Sequence, residues 1–135
     1  MLEAERWMMQ SLRDLKAAKD SLSNGNYEWA CFQAQQSAEK ALKALVYANG
    51  RSIWGHMIVE LLGSLKDLYS VNELLDRARL LDRHYIPSRY PNVYESGYPG
   101  MFYDRKTAEE AIATCEGFMK WVKVELKKLG LSVQS

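Results

Sequence analysis

The chain carries 18 basic and 17 acidic side chains in 135 residues, a formal charge of +1, so no global field recruits nucleic acid or an anionic membrane and any such binding must be local. No stretch of about 18 apolar residues occurs, and the acidic start MLEAERWMMQ lacks the pattern of a leader, which excludes a membrane span and a signal peptide and sets the expectation of a cytoplasmic protein. The length suits a single domain over residues 1–135 that buries roughly two thirds of its unfolded surface.

From Leu2 to Leu22, Trp7, Met8, Leu12, Leu15 and Leu22 recur at helical spacing, with Lys16 and Lys19 on the outer side. SNGN at 23–26 breaks this helix: Gly25 is suited to a left-handed backbone and Asn26 to capping the next start. So short a connection favours an antiparallel hairpin. The second helix, over 26–50, is the longest helical signal, with Trp29, Phe32, Ala34, Ala38, Ala41, Leu42, Leu45 and Val46 along one broad apolar stripe. Gln33, Gln36, Glu39, Lys40 and Lys43 form a polar stripe beside it, a row able to meet a partner or ligand. Glu39 and Lys43 also make an ordinary i,i+4 ion pair in the favourable orientation, contributing ~0.3 kcal/mol.

After the loop RSIWGH, a third helix is expected from His56 to about Tyr69, burying Val59, Leu61, Leu62, Leu65 and Leu68 and shortened by the poor helix preference of Gly63. Ser70 and Glu73 have the spacing of a capping box, so a fourth helix is expected from there toward Tyr85, where Pro87 opposes continuation. Residues 86–105 hold all three prolines and five aromatics and are expected to form a long, packed loop, a kind of segment that in small domains tends to carry function. Thr107 and Glu110 repeat the capping-box spacing before a last helix, which is expected to bury Ala108, Ala111, Ile112, Cys115, Phe118, Met119, Val122, Leu126 and Leu129 and to close at Gly130. Cys31 and Cys115 are too far apart for a zinc or redox motif and read as buried free thiols. The whole reads as an all-α, antiparallel up-and-down bundle of about five helices.

Several pieces of this sequence resemble one family. CFQAQQSAEKALKALV with Gln36, Glu39, Lys40 and Lys43, a His at 56 ahead of a helix, and LLDRHYIPSRYPN with Tyr85 before Arg89-Tyr90-Pro91 are similar to the HEPN domain family over nearly the whole chain. The resemblance implies a helical bundle, usually dimeric, that in some members pairs with a minimal nucleotidyltransferase in toxin-antitoxin systems. It also implies nucleotide binding, proposed for the family, and in other branches metal-independent RNA cleavage by an Arg and a His with four to six residues between them.

That spacing occurs three times here: Arg51 with His56, and Arg79 or Arg77 with His84. A His near neutral pKa can move protons at a ribose 2′-hydroxyl while an Arg holds the phosphate. The nuclease branches carry their pair near the start of the last helix, and no His follows Arg89 in this chain. The preferred reading is therefore a non-catalytic binding or regulatory module, with Gln36, Glu39, Lys40, Lys43, His56, Arg89 and Tyr90 contacting a nucleotide or a partner protein. RNA cleavage by His84 with Arg89 or Arg79 is the alternative, and His56 then reads as a helix-start residue bonding locally. No metal site, P-loop or hydrolase triad has the residues it needs, and no cofactor is expected. Four tryptophans and eight tyrosines exceed what so small a bundle can hide, which predicts a homodimer. Tyr90, held extended by Pro91, is expected to aim Arg89 inward at Glu39.

Overall fold

In the computed structural model, which describes residues 2–132, six α-helices follow one another: α1 Glu3–Ser23, α2 Tyr27–Ala48, α3 Ile58–Gly63, α4 Leu75–Asp82, α5 Pro99–Phe102 and α6 Arg105–Lys128. Short 3₁₀ turns occupy Asn72–Leu74 and Pro91–Val93. Among the described residues there is no strand. The all-α helical bundle expected from the periodicity is therefore the fold.

Gly25 at φ 78 reverses the chain within three residues, and α2 folds back antiparallel on α1. The register is fixed by polar and aromatic pairs along the seam. Ser21 lies 2.7 Å from the Gln33 amide, the Ser11 hydroxyl donates to the Ser37 carbonyl at 2.6 Å, and Trp7 stacks on Tyr47 at 5.8 Å. Helix α6 packs along α2 in the same direction, with Arg105 over the Tyr27 ring at the start and Cys115 beside Ser37 further along, and it also meets α1 through the Lys19–Glu116 pair at 3.2 Å. The segment from α3 to α5 carries the chain back between them. Helix α2 is thus packed on nearly all sides, with Ala30, Cys31, Ala34, Ala38, Ala41, Leu42, Ala44, Leu45 and Val46 all buried. Five of these are alanines, and small side chains let neighbouring helices approach closely.

Both cysteines are buried and free, and burial pushes each thiol up to about 12, so neither is a nucleophile near neutral pH.

Four local expectations change. Asn26 precedes α2 but makes no side-chain cap bond. Helix α3 stops at Gly63, well before Tyr69, and the chain continues in single turns that still bury Leu65. Ser70 and Glu73 make no capping box: the entry to α4 is set by buried Val71, whose carbonyl accepts from Leu74 N at 2.9 Å across a 3₁₀ turn. At α6 the cap is Asp104, whose Oδ1 accepts from Thr107 N at 2.8 Å, so Thr107 lies inside the first turn and not before it. The expected loop over 86–105 contains α5 and is only partly packed, with Tyr90, Tyr98 and Phe102 about half exposed. It is stapled by the Tyr94–Phe102 stack at 4.6 Å, by Tyr94 OH donating to the Pro87 carbonyl at 2.7 Å, and by the His84–Tyr103 hydrogen bond at 2.9 Å.

Candidate functional site

The site forms where the loop before α3, the middle of α2 and the turn after α4 meet. Asp82, the last residue of α4, accepts from the backbone amides of Ile58 (2.8 Å) and Val59 (3.0 Å), and so satisfies the open N–H groups at the start of α3 from outside that helix. Its Oδ1 also accepts from Gln35 Nε2 at 3.2 Å, and the same Gln35 amide donates to the His56 carbonyl at 2.8 Å. Gln35 is fully buried on α2. Three elements are thereby locked around the backbone of His56.

The His56 side chain is held as well. Its Nδ1 lies 3.4 Å from both oxygens of Glu39, a carboxylate only 3% exposed. Glu39 also accepts from Lys43 Nζ at 3.1 Å and from Gln36 Nε2 at 3.1 Å, while Lys43 sits 5.1 Å over the Trp7 ring. A carboxylate so enclosed persists only with several donors, and here three side chains supply them. With Nδ1 turned to Glu39, the far nitrogen of the imidazole faces outward on a side chain 57% exposed.

The His56 ring stacks on Tyr85 at 5.4 Å and 17°. Arg89 meets the same ring, with its guanidinium carbon 4.9 Å from the Tyr85 centroid, 4.1 Å from that of Phe32 and 5.0 Å from that of Tyr90. The turn over residues 86–90 brings it there, with Arg89 N bonding to the Ile86 carbonyl at 3.0 Å and Nε to the Tyr85 carbonyl at 2.8 Å. Among the described residues Nε is the one guanidinium nitrogen with a hydrogen bond, and no carboxylate lies within ion-pair distance. The expected Arg89–Glu39 pair is therefore replaced by another arrangement. Glu39 is already filled by Lys43, Gln36 and His56, and the guanidinium is held by three rings, a packing a flat cation favours.

The remaining candidates are placed as follows. Lys40 pairs with Asp14 at 2.5 Å across the α1–α2 seam and so stands apart from Arg89. Tyr90 borders the guanidinium and is 47% exposed. Arg51 forms a two-pronged pair with Asp67 and bonds the Ser64 carbonyl, so its guanidinium is occupied away from His56. Arg79 pairs with Asp76 on the exposed side of α4. His84 is buried against Tyr103 OH, and burial, aided by the charge of Arg83, pushes its pKa down to about 4. Among the described residues no three His, Cys, Asp or Glu side chains gather as a metal would need, and no helix is long and apolar enough to cross a membrane. Gln35, Asp82 and Phe32 were not visible as site residues from sequence. Gln35 was the one legible clue: a glutamine on the apolar side of a helix needs a buried partner.

An exposed imidazole and a guanidinium thus meet on the ring of one tyrosine, on an all-α helical bundle. The model of the HEPN domain matches residues 4–126, and this chain belongs to the HEPN domain family. A protein of Methanocaldococcus jannaschii named "Putative toxin MJ1304" is 28% identical over 141 residues, covering 95% of this chain and 91% of its own. Among solved structures, TT1696 from Thermus thermophilus superposes with a TM-score of 0.89 at 41% identity, covering 93% of this chain and 100% of that one. ST0689, an archaeal HEPN homologue, has a TM-score of 0.78 at 39% identity, with 93% and 99% covered. A HEPN domain protein from Thermotoga maritima has 0.74 at 33% identity, with 91% and 98% covered.

Proposed function

We propose that the chain is a HEPN binding module that takes the phosphate of a nucleotide or RNA strand at His56 and Arg89, and that it acts as a homodimer beside a minimal nucleotidyltransferase partner in a toxin-type system. The observation that carries this reading is the shared Tyr85 ring: it presents a guanidinium whose terminal nitrogens have no protein partner among the described residues next to an exposed imidazole. Those terminal nitrogens match two phosphate oxygens, and the rings beneath the guanidinium fix its plane. The kinship with a protein named a toxin supports the system assigned here. Fluorescence anisotropy with a labelled oligonucleotide tests the site. Arg89→Ala and His56→Ala should each weaken binding about tenfold, as expected for loss of a charge-assisted hydrogen bond. Unchanged binding by Arg89→Ala overturns the reading. Sedimentation equilibrium tests the dimer, and a monomer mass at every concentration overturns that part.

A second reading, metal-independent RNA cleavage, is favoured by the Glu39–His56 contact. The outer nitrogen of His56 would take the proton of a ribose 2′-hydroxyl as its oxygen attacks the adjacent phosphorus. Arg89 would hold the phosphate oxygens as charge builds, and the imidazolium would return the proton to the departing 5′-oxygen. In this reading Glu39 orients the imidazole and balances its charge, as a buried carboxylate does in a catalytic triad.

A further inference from the structure

The geometry points to Trp54 as a base-stacking residue that makes this site select a strand with an unpaired nucleobase over a bare phosphate group or a duplex. The inference rests on the reading of His56 and Arg89 as the phosphate site.

Trp54 is 95% exposed, whereas no other large apolar side chain among the described residues exceeds 59%. Its exposure is not that of a slack loop. On one side, Ile53 packs against the core and Arg51 is clamped by Asp67 and the Ser64 carbonyl. On the other, the His56 carbonyl is held by Gln35, and the amides that follow are held by Asp82. Between these anchors Gly55 turns the chain at φ 117, a backbone that favours glycine. An added Cβ there would also meet Glu60 Oε2 at 3.3 Å. The loop is thus built to put Ile53 in and Trp54 out. An indole displayed from a fixed backbone loses little conformational freedom on binding, the property that makes tryptophan a recognition residue.

Its surroundings decide what it recognises. Trp54 stands two positions before His56, at most about 7 Å of backbone, and both side chains are exposed, so one strand is long enough to reach both. Stacking on an indole is available to any base, but only where the base face is not covered by a neighbour, as in a single strand. Two positions further on stands the exposed imidazole of His56, which shares the Tyr85 ring with the Arg89 guanidinium.

The test uses the full-length protein and a labelled single-stranded 2′-O-methyl oligonucleotide, which has no free 2′-hydroxyl and so survives any nuclease activity. A duplex of equal length and inorganic pyrophosphate serve as competitors. Trp54→Ala should weaken single-strand binding about tenfold, the effect of losing one stacked base, leave competition by pyrophosphate unchanged, and erase the preference for single strand over duplex. Trp54→Tyr should restore most of the affinity. Trp54→Ala binding the single strand as tightly as the parent overturns the inference while leaving the phosphate site standing. Loss of self-association in Trp54→Ala with oligonucleotide affinity unchanged also overturns it, in favour of a protein contact. If Arg89→Ala leaves oligonucleotide binding intact, the phosphate site itself is wrong and the inference falls with it.

Discussion

His56 Nδ1 lies 3.4 Å from each oxygen of Glu39, a carboxylate that is also bonded to Lys43 and Gln36. The polar stripe of α2 is therefore not a solvated surface. It turns inward, and its middle member links a buried lysine to an exposed histidine that lies 17 residues further along the chain.

The energetic consequence concerns Lys43 and Glu39 first. Both are nearly enclosed, at 7% and 3% side-chain exposure. Removing either leaves an uncompensated buried charge, so Lys43→Ala and Glu39→Ala should each cost about 3 kcal/mol, against under about 1 kcal/mol for an exposed pair. Urea denaturation of the singles and the double should show strong coupling between these two. The same cycle between Glu39 and Arg89 should give coupling near zero, since the two make no ion pair.

Arg89→Lys separates shape from charge at the site. Lysine keeps the charge but cannot lie flat against Phe32, Tyr85 and Tyr90 or offer two parallel donors to a phosphate. It should destabilise the protein by about 1 kcal/mol through lost stacking and weaken oligonucleotide binding nearly as far as Arg89→Ala does. Denaturation and anisotropy on one preparation check both, and a lysine variant that binds like the parent would show that charge alone suffices.

How much of this was legible follows from which signals are local. The apolar periodicity of α1, α2 and α6 specified the bundle because burial of a stripe is a property of one helix at a time. The residues of the site were legible as types, since Glu39, His56, Arg89 and Tyr90 stand in recognisable strings. Their pairing was not. Glu39 to Lys43 was legible from its i,i+4 spacing, but the choice of His56 over Arg89 as the third partner depends on where Gln35 and Asp82 fix the backbone of the loop. The capping boxes failed for a related reason: Ser70 competes with the burial of Val71, and Thr107 with Asp104, which fills the cap.

If the protein cleaves RNA, the responsible histidine should be His56. His56 has a carboxylate behind it and an outer nitrogen open to solvent, whereas His84 is buried and bonded to Tyr103. Incubated with unstructured RNA and excess chelator, the parent and His84→Gln should then behave alike, while His56→Ala should lose activity by at least about a hundredfold, the usual scale of a lost general base. Glu39→Gln should fall between them. Activity that survives His56→Ala but disappears with His84→Gln would exclude this assignment.

The pH dependence of stability should report His84. Burial pushes its imidazole down to about 4, with the Arg83 charge adding to the shift, whereas an ordinary histidine in an unfolded chain titrates near 6.5. Between those values the unfolded chain binds a proton that the folded one refuses. The stabilisation is thus fully present above pH 6.5, is lost progressively as the pH falls through this window, and is gone below 4; its size is on the order of 2–3 kcal/mol. Burial also pushes the Tyr103 phenol upward, so its hydroxyl keeps its proton and stays hydrogen-bonded to Nδ1. Tyr103→Phe should therefore cost about 1 kcal/mol at pH 7 while leaving most of the acid slope. His84→Gln should flatten that slope, because nothing at position 84 then takes up a proton on unfolding. Urea melts at pH 7, 6, 5 and 4 compare the three proteins, and equal slopes for the parent and His84→Gln would mean that the acid sensitivity arises from carboxylates instead.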